Sequence, residues 1–133
     1  MQAHEIMHKR VIAVRPKAVG RDLVLKLLSG TFSGLPVVDE NSIVIGVVTE
    51  FDLIKAKQEG KDLTTVKAQE IMSRPPITVR ESTPIEEIIA TMMEHRIIRV
   101  PVVKEDGRLV GIIARSDLLS RMVVPEDVFF VDG

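Results

Sequence analysis

Apolar positions along the chain follow two rhythms, one helical and one of short uninterrupted runs. Ile85, Ile88, Ile89, Met92 and Met93 recur at three- and four-residue spacing, which lays one apolar stripe along a helix. Thr83 stands where an N-cap belongs, Pro84 suits the first helical position, and Glu86 can close a capping box. Leu23, Val24, Leu27 and Leu28 form a second stripe, with Gly30 placed for its C-terminal cap. The short runs are of strand length and come in pairs. Leu35–Val38 and Ile43–Val48 flank Asp39-Glu40-Asn41-Ser42, while Val100–Val103 and Leu109–Ile113 flank a turn containing Asp106-Gly107. Extended segments at Ile12–Val14 and Ile77–Val79 precede the two amphipathic helices, and further helices are predicted over about 50–58 and 115–122. The predicted order is β-α-β-β-α, twice.

The two halves are copies of one another. An offset of 65 residues aligns Glu5–Leu53 with Glu70–Leu118 without a gap. Glu5-Ile6-Met7 recurs as Glu70-Ile71-Met72, and Ile12, Val14 and Arg15 as Ile77, Val79 and Arg80. Pro36-Val37-Val38, Glu40, Gly46 and Asp52-Leu53 recur as Pro101-Val102-Val103, Glu105, Gly111 and Asp117-Leu118. The expected units are residues 1–65, with a polar linker from about 57, and residues 66–122, followed by a tail at 123–133. A unit this short cannot bury both faces of its sheet alone, so two units packed through their sheets around a pseudo-two-fold axis are expected. The fold class is α+β.

Composition narrows the function. Hydrophobic residues make up 45% of the 133 and charged residues 28%, the balance of a globular protein, and with four Phe and no Trp or Tyr the core must be aliphatic. A net charge of −1, without a basic stripe, argues against nucleic acid or an anionic membrane as partner. No Cys is present, which excludes disulfides and thiolate metal sites. The start shows no basic segment followed by an apolar one, and no apolar run approaches membrane-spanning length, so a cytoplasmic location is expected. No Gly-rich phosphate loop and no recognisable acid/base pair appears, so an enzyme is not expected.

The paired motifs Leu-Pro-Val-Val-Asp (35–39) with Gly-Val-Val-Thr-Glu-Phe-Asp-Leu (46–53), and Val-Pro-Val-Val (100–103) with Gly-Ile-Ile-Ala-Arg-Ser-Asp-Leu (111–118), resemble the cystathionine-β-synthase (CBS) domain pair, or Bateman module. The resemblance covers about residues 5–122. It implies a regulatory module that binds AMP, ADP, ATP or related adenosyl compounds between the repeats, needs no further cofactor, forms homodimers, and acts on a regulated enzyme or transporter. The alternative is a dimerisation or docking module with unoccupied clefts, for which the apolar tail with Phe129 and Phe130 is a candidate surface.

The same resemblance implies the site residues. In the first unit Thr49 would face phosphate and Asp52 would accept both ribose hydroxyls, a vicinal diol matching one carboxylate. Ile12, Ala13 and Val14 would form the adenine slot, with Leu35-Pro36 as opposing wall. In the second unit Asp117 keeps the ribose role, but Ala114 replaces the hydroxyl, leaving the backbone, Ser116 or Arg115 for phosphate. There Ile77, Thr78 and Val79 form the slot and Val100-Pro101 the wall, with Arg99 and Arg96 as further phosphate partners. Thr49-x-x-Asp52 also has a purely local reading as a helix N-cap, worth about 0.5–2 kcal/mol. Finally, His4-Glu5-Ile6-Met7-His8 satisfies the His-Glu-x-x-His zinc pattern. The second unit reads Gln69-Glu70-Ile71-Met72-Ser73, so Glu-Ile-Met belongs to the repeat and the histidines are incidental; no metal site is expected.

Overall fold

The computed structural model describes residues 1–30 and 34–122; the tail around Phe129 and Phe130 lies outside the described residues. In the first unit, helix α2 (Gly20–Ser29) precedes a hairpin of β1 (Gly34–Val38) and β2 (Val44–Thr49), and α3 (Glu50–Gln58) follows at once. In the second, β3 (Val79–Arg80) leads to α5 (Ile85–His95), the hairpin β4 (Arg99–Val103) and β5 (Leu109–Ala114), and α6 (Arg115–Ser120). β3 runs parallel to β4, which pairs antiparallel with β5. The first unit's leading strand is reduced to one parallel bridge, Val14 to Val37. Both hairpins slip register at the same place, between Val37 and Val38 and between Val102 and Val103.

Two details differ from the sequence reading. The cap of α5 is Pro84, not Thr83: the Pro84 carbonyl accepts the first helical bonds from Glu87 and Ile88, while the Thr83 hydroxyl turns back to accept from Arg80 N–H at 2.9 Å. Each unit also opens with a one-turn helix that short apolar spacing did not announce, α1 (Ala3–Ile6) and α4 (Ala68–Ile71). Their first turns close alike, Gln2 N–H donating to Glu5 and Lys67 N–H to Glu70.

These opening segments are exchanged. Residues 1–8 pack on the second unit: Ala3 N–H reaches Thr83, His4 N–H reaches Glu81, and His8 bonds Ile112 through both its N–H and its C=O, at 2.9 Å each. Residues 66–73 pack on the first unit in the same way, through Gly20 to Val66, Ala68 to Ala18, and Ser73 to Val47. The cores record the exchange. Ala3 and Ile6 are buried with Val79, Ile88, Val100, Val102, Ile113 and Leu118, whereas Ala68 is buried with Leu23, Leu35, Val37, Val48 and Leu53. Each strap ends in a methionine laid over the other unit's strand glycine. A Cβ on Gly46 would lie 2.5 Å from Met72 Sδ, and one on Gly111 would lie 2.5 Å from Met7 Sδ and 3.0 Å from the His8 carbonyl. That close approach explains why Gly and Met are both repeated.

A third cluster, Val38, Val44 and Val103 with Ala13 and Leu109, seals the seam where the hairpins meet. There Val44 N–H bonds the Gly107 carbonyl and Leu109 N–H bonds the Ser42 carbonyl, again related by the 65-residue offset. Among the described residues no helix is long and apolar enough to cross a membrane.

Candidate functional site

The exchange places the N-terminus of α3, from the first unit, against the segment that follows the strap in the second. Between them lies a cleft of about 640 Å³, within the usual range for small-molecule sites. Its walls are mostly apolar: Pro36 and Val47 on one side, Pro75, Pro76 and Ile77 on the other, with Pro101 and Ile112 behind. Thr49, Glu50 and Phe51 form the rim at the start of α3, and Arg96 and Arg99 supply positive charge opposite. Arg96 closes α5 in the left-handed conformation (φ 53°), which turns the chain so that residues 96–99 line the cleft.

Asp52 stands one hydrogen bond behind this rim. Its Oδ2 accepts Thr49 N–H at 2.8 Å and the Thr49 hydroxyl at 3.0 Å, while Thr49 Oγ1 accepts Asp52 N–H at 3.2 Å. The helix cap is therefore real. The carboxylate also accepts the Ser73 hydroxyl, which splits between Oδ1 at 3.0 Å and Oδ2 at 3.2 Å. Ser73 belongs to the other unit's strap, and it lines the cleft beside Thr49. Asp52 itself faces a polar groove on the far side of Ser73, where Lys55, Lys61 and Arg74 balance Asp52, Glu59 and Glu70.

A sequence model of the CBS domain matches residues 3–59 and again 68–124. The chain belongs to the CBS domain family. As a CBS pair it is 31% identical, over 94% of its length, to inosine-5'-monophosphate dehydrogenase of Methanocaldococcus jannaschii, of which it spans 24%. It spans between 17% and 59% of the first curated relatives it matches. The crystal structure of CBSX2 in complex with AMP is similar with a TM-score of 0.80 and 30% identity, covering 91% of this chain and 95% of that one. The CBS domain pair of protein MJ0100, in complex with 5'-methylthioadenosine and S-adenosyl-L-methionine, is similar with a TM-score of 0.78 and 30% identity, covering 92% and 94%.

In this CBS pair the residues singled out from sequence assemble across units rather than within them. Thr49 and Pro36 meet Ile77, Arg99 and Pro101, which the sequence grouping had assigned to the other cleft. Ile12, Ala13, Val14 and Leu35 do not line this cavity. Val14 spends its N–H and C=O on Pro36 and Val38, at 2.9 Å each, Leu35 is fully buried, and Ala13 packs at the seam. Val79 and Val100 lie in the core of the second unit, and Thr78 leads into β3. Arg115, Ser116 and Asp117 form the first turn of α6, at the place related to Glu50, Phe51 and Asp52 by the repeat.

Asp117 has its own strap partner. Its Oδ2 accepts Ala114 N–H at 2.7 Å, and its Oδ1 pairs with His8 Nε2 at 2.7 Å. His8 is not on a helical face with His4, because α1 ends at Ile6 and Met7 is extended (φ −72°, ψ 150°). His4 Nε2 instead meets Gln2. No group of three or more His, Asp or Glu among the described residues could hold a metal ion. Sequence reasoning overlooked Ser73. The available signal was its place in the repeat, opposite His8 and directly after Glu-Ile-Met.

Proposed function

We propose that this CBS pair is a regulatory module that takes an adenosine-type ligand in the cleft between Thr49 and Ile77. The observation that carries the reading is the apolar, inter-unit cavity with a carboxylate-capped helix start on one side and two arginines on the other. The apolar walls of Pro36, Pro101, Ile77 and Ile112 suit a flat base. The ribose diol would exchange into the Ser73–Asp52 contact, since an ionised carboxylate has about four acceptor positions and the Oδ1 side is met by Ser73 alone. A phosphate would lie at the start of α3, near Arg99 and Arg96, where helix dipole and forked guanidinium donors act together. CBS pairs of similar structure carry AMP in CBSX2 and adenosyl compounds in MJ0100, which supports the class of ligand.

Because both units wall the cleft, a ligand there favours one arrangement of the straps over others, and that shift is the signal passed to a partner. The partner would be a second copy of the chain and, through it, a regulated enzyme or transporter in the cytoplasm. Exposed apolar side chains on α2, α5 and α6, including Leu28, Met93 and Leu119, support a helical face covered by a homodimer partner.

The test is a thermal and calorimetric titration with AMP, ADP, ATP, S-adenosylmethionine and methylthioadenosine. A ligand at a hundred times its Kd raises stability by about 2.7 kcal/mol, a clear shift of the melting midpoint. Asp52→Ala is expected to weaken binding by about tenfold or more, roughly the 1.4 kcal/mol or more of one charge-assisted contact. No shift with any of the five would overturn the reading.

A further inference from the structure

The straps carry an asymmetry that the repeat itself does not explain. Positions 8 and 73 are equivalent, each bonds the facing strand through its backbone, and each presents its side chain to the other unit's motif aspartate. One is histidine and the other serine. We propose that these two strap residues determine which motif aspartate accepts the sugar diol: Ser73 leaves Asp52 open to it, and His8 closes Asp117. The proposal rests on the adenosyl reading above and goes beyond it, by assigning specificity to residues outside the Gly-x-x-Thr-x-x-Asp segment.

The chemistry differs at three points. Ser73 Oγ is shared between both Asp52 oxygens at 3.0 and 3.2 Å, so neither bond is short, and a hydroxyl rotates freely between donating and accepting. An incoming ribose hydroxyl can take one carboxylate position while Ser73 keeps another or accepts from the sugar. His8 Nε2 meets a single oxygen, Asp117 Oδ1, end-on at 2.7 Å, the length of a strong contact. Its ring is bulkier than a hydroxymethyl group and has fixed donor directions, so a diol reaching Oδ1 has to break this contact and swing the exposed imidazole aside. Third, the residue beside the carboxylate is Thr49 in one unit and Ala114 in the other, so the Asp117 side also lacks the hydroxyl that would greet a phosphate. Asp117 makes the same first-turn contact as Asp52, accepting Ala114 N–H, so its carboxylate is held in place without any ligand.

Calorimetric titration of the full chain with AMP reads the proposal through stoichiometry. The wild type is expected to bind one AMP per chain tightly. Ser73→His should weaken that site by about tenfold or more with the unliganded melting midpoint little changed. His8→Ser with Ala114→Thr should raise the stoichiometry toward two. In the full exchange, which combines S73H with H8S and A114T, binding should become sensitive to Asp117→Ala. Should Ser73→His fail to fold, the H8S/A114T count alone decides. Two equal sites in the wild type, unchanged affinity in S73H, or a count that stays at one in H8S/A114T would each overturn the assignment while leaving the adenosyl reading intact. A wild type that binds none of the adenosine compounds would overturn both.

Discussion

The two junctions between strap and helix start share a backbone and differ in their side chains. Thr49, Asp52 and Ser73 make a closed set of hydroxyls around a carboxylate, open to the cleft through two of its members. Ala114, Asp117 and His8 make the same backbone contact and then an imidazole pair. Duplication therefore preserved what the fold needs, the Gly–Met packing and the acid that accepts the N–H of the residue before the helix, and let the groups around the acid diverge. Capping and ligand binding are not rival explanations of the aspartate. The cap holds the carboxylate in place, and the strap residue sets what it can still accept.

The largest effect is expected where the straps lie closest. Gly46→Ala and Gly111→Ala should each destabilise the chain by about 1–3 kcal/mol through overpacking. Gly111→Ala should be the worse, because its Cβ also meets the His8 carbonyl at 3.0 Å, whereas the three nearest atoms at Gly46 all belong to the Met72 side chain, the last being Cβ at 3.1 Å. Chemical unfolding measures both, and Met72→Ala should rescue G46A more fully than Met7→Ala rescues G111A. Equal losses and equal rescue would mean that the junctions are mechanically the same.

Next in size is the cap hydroxyl. Thr49→Ala should cost about 0.5–2 kcal/mol, and Ala114→Thr should gain about 0.5–1 kcal/mol, since it supplies the oxygen that Asp117 N–H lacks. A smaller contrast lies at the hairpin tips. Ser42 holds φ 66° where the second unit has Gly107 at φ 93°. Ser42→Gly is expected to gain up to about 1 kcal/mol, because glycine adopts that conformation without the side-chain penalty. Gly107→Ser should lose about as much or more, its Cβ falling 3.2 Å from Ile43 Cγ2.

The smallest effect concerns the segment joining the units. The Thr64 hydroxyl and N–H, donating to Asp62 at 2.6 and 2.9 Å, hold its carboxyl below the ordinary carboxylate value. A depressed value in the folded state gives stability that is present above the unfolded value and is lost as pH falls through the folded one. Asp62→Asn should lower the melting midpoint slightly at neutral pH, and the difference should vanish in acid.

Much of this architecture is readable from spacing. The helical stripes of α2 and α5 and the paired strands have a strong apolar period, and the 65-residue offset then places the helix starts at 50 and 115, where the period itself is weak. What spacing cannot carry is which partner an apolar face meets. Ala3, Ile6 and Met7 read equally well as part of their own unit, and only the fold sends them to the other. That is why the sequence grouping put Ile12 beside Thr49 where the structure puts Ile77. The misplaced cap of α5 has a local cause: Thr83 can serve the turn before the helix as well as the helix itself, and Arg80 N–H claims it. Ser73 carries no apolar period of its own, and only its place in the repeat, opposite His8, marks it.

The decisive measurement is a structure of the chain crystallised with AMP. The base is expected between Pro36 and Ile77, with both ribose hydroxyls within about 3.2 Å of Asp52 and Ser73 still in contact. A nucleotide whose sugar sits away from Asp52, or one seated first against Asp117 with His8 undisturbed, would contradict it.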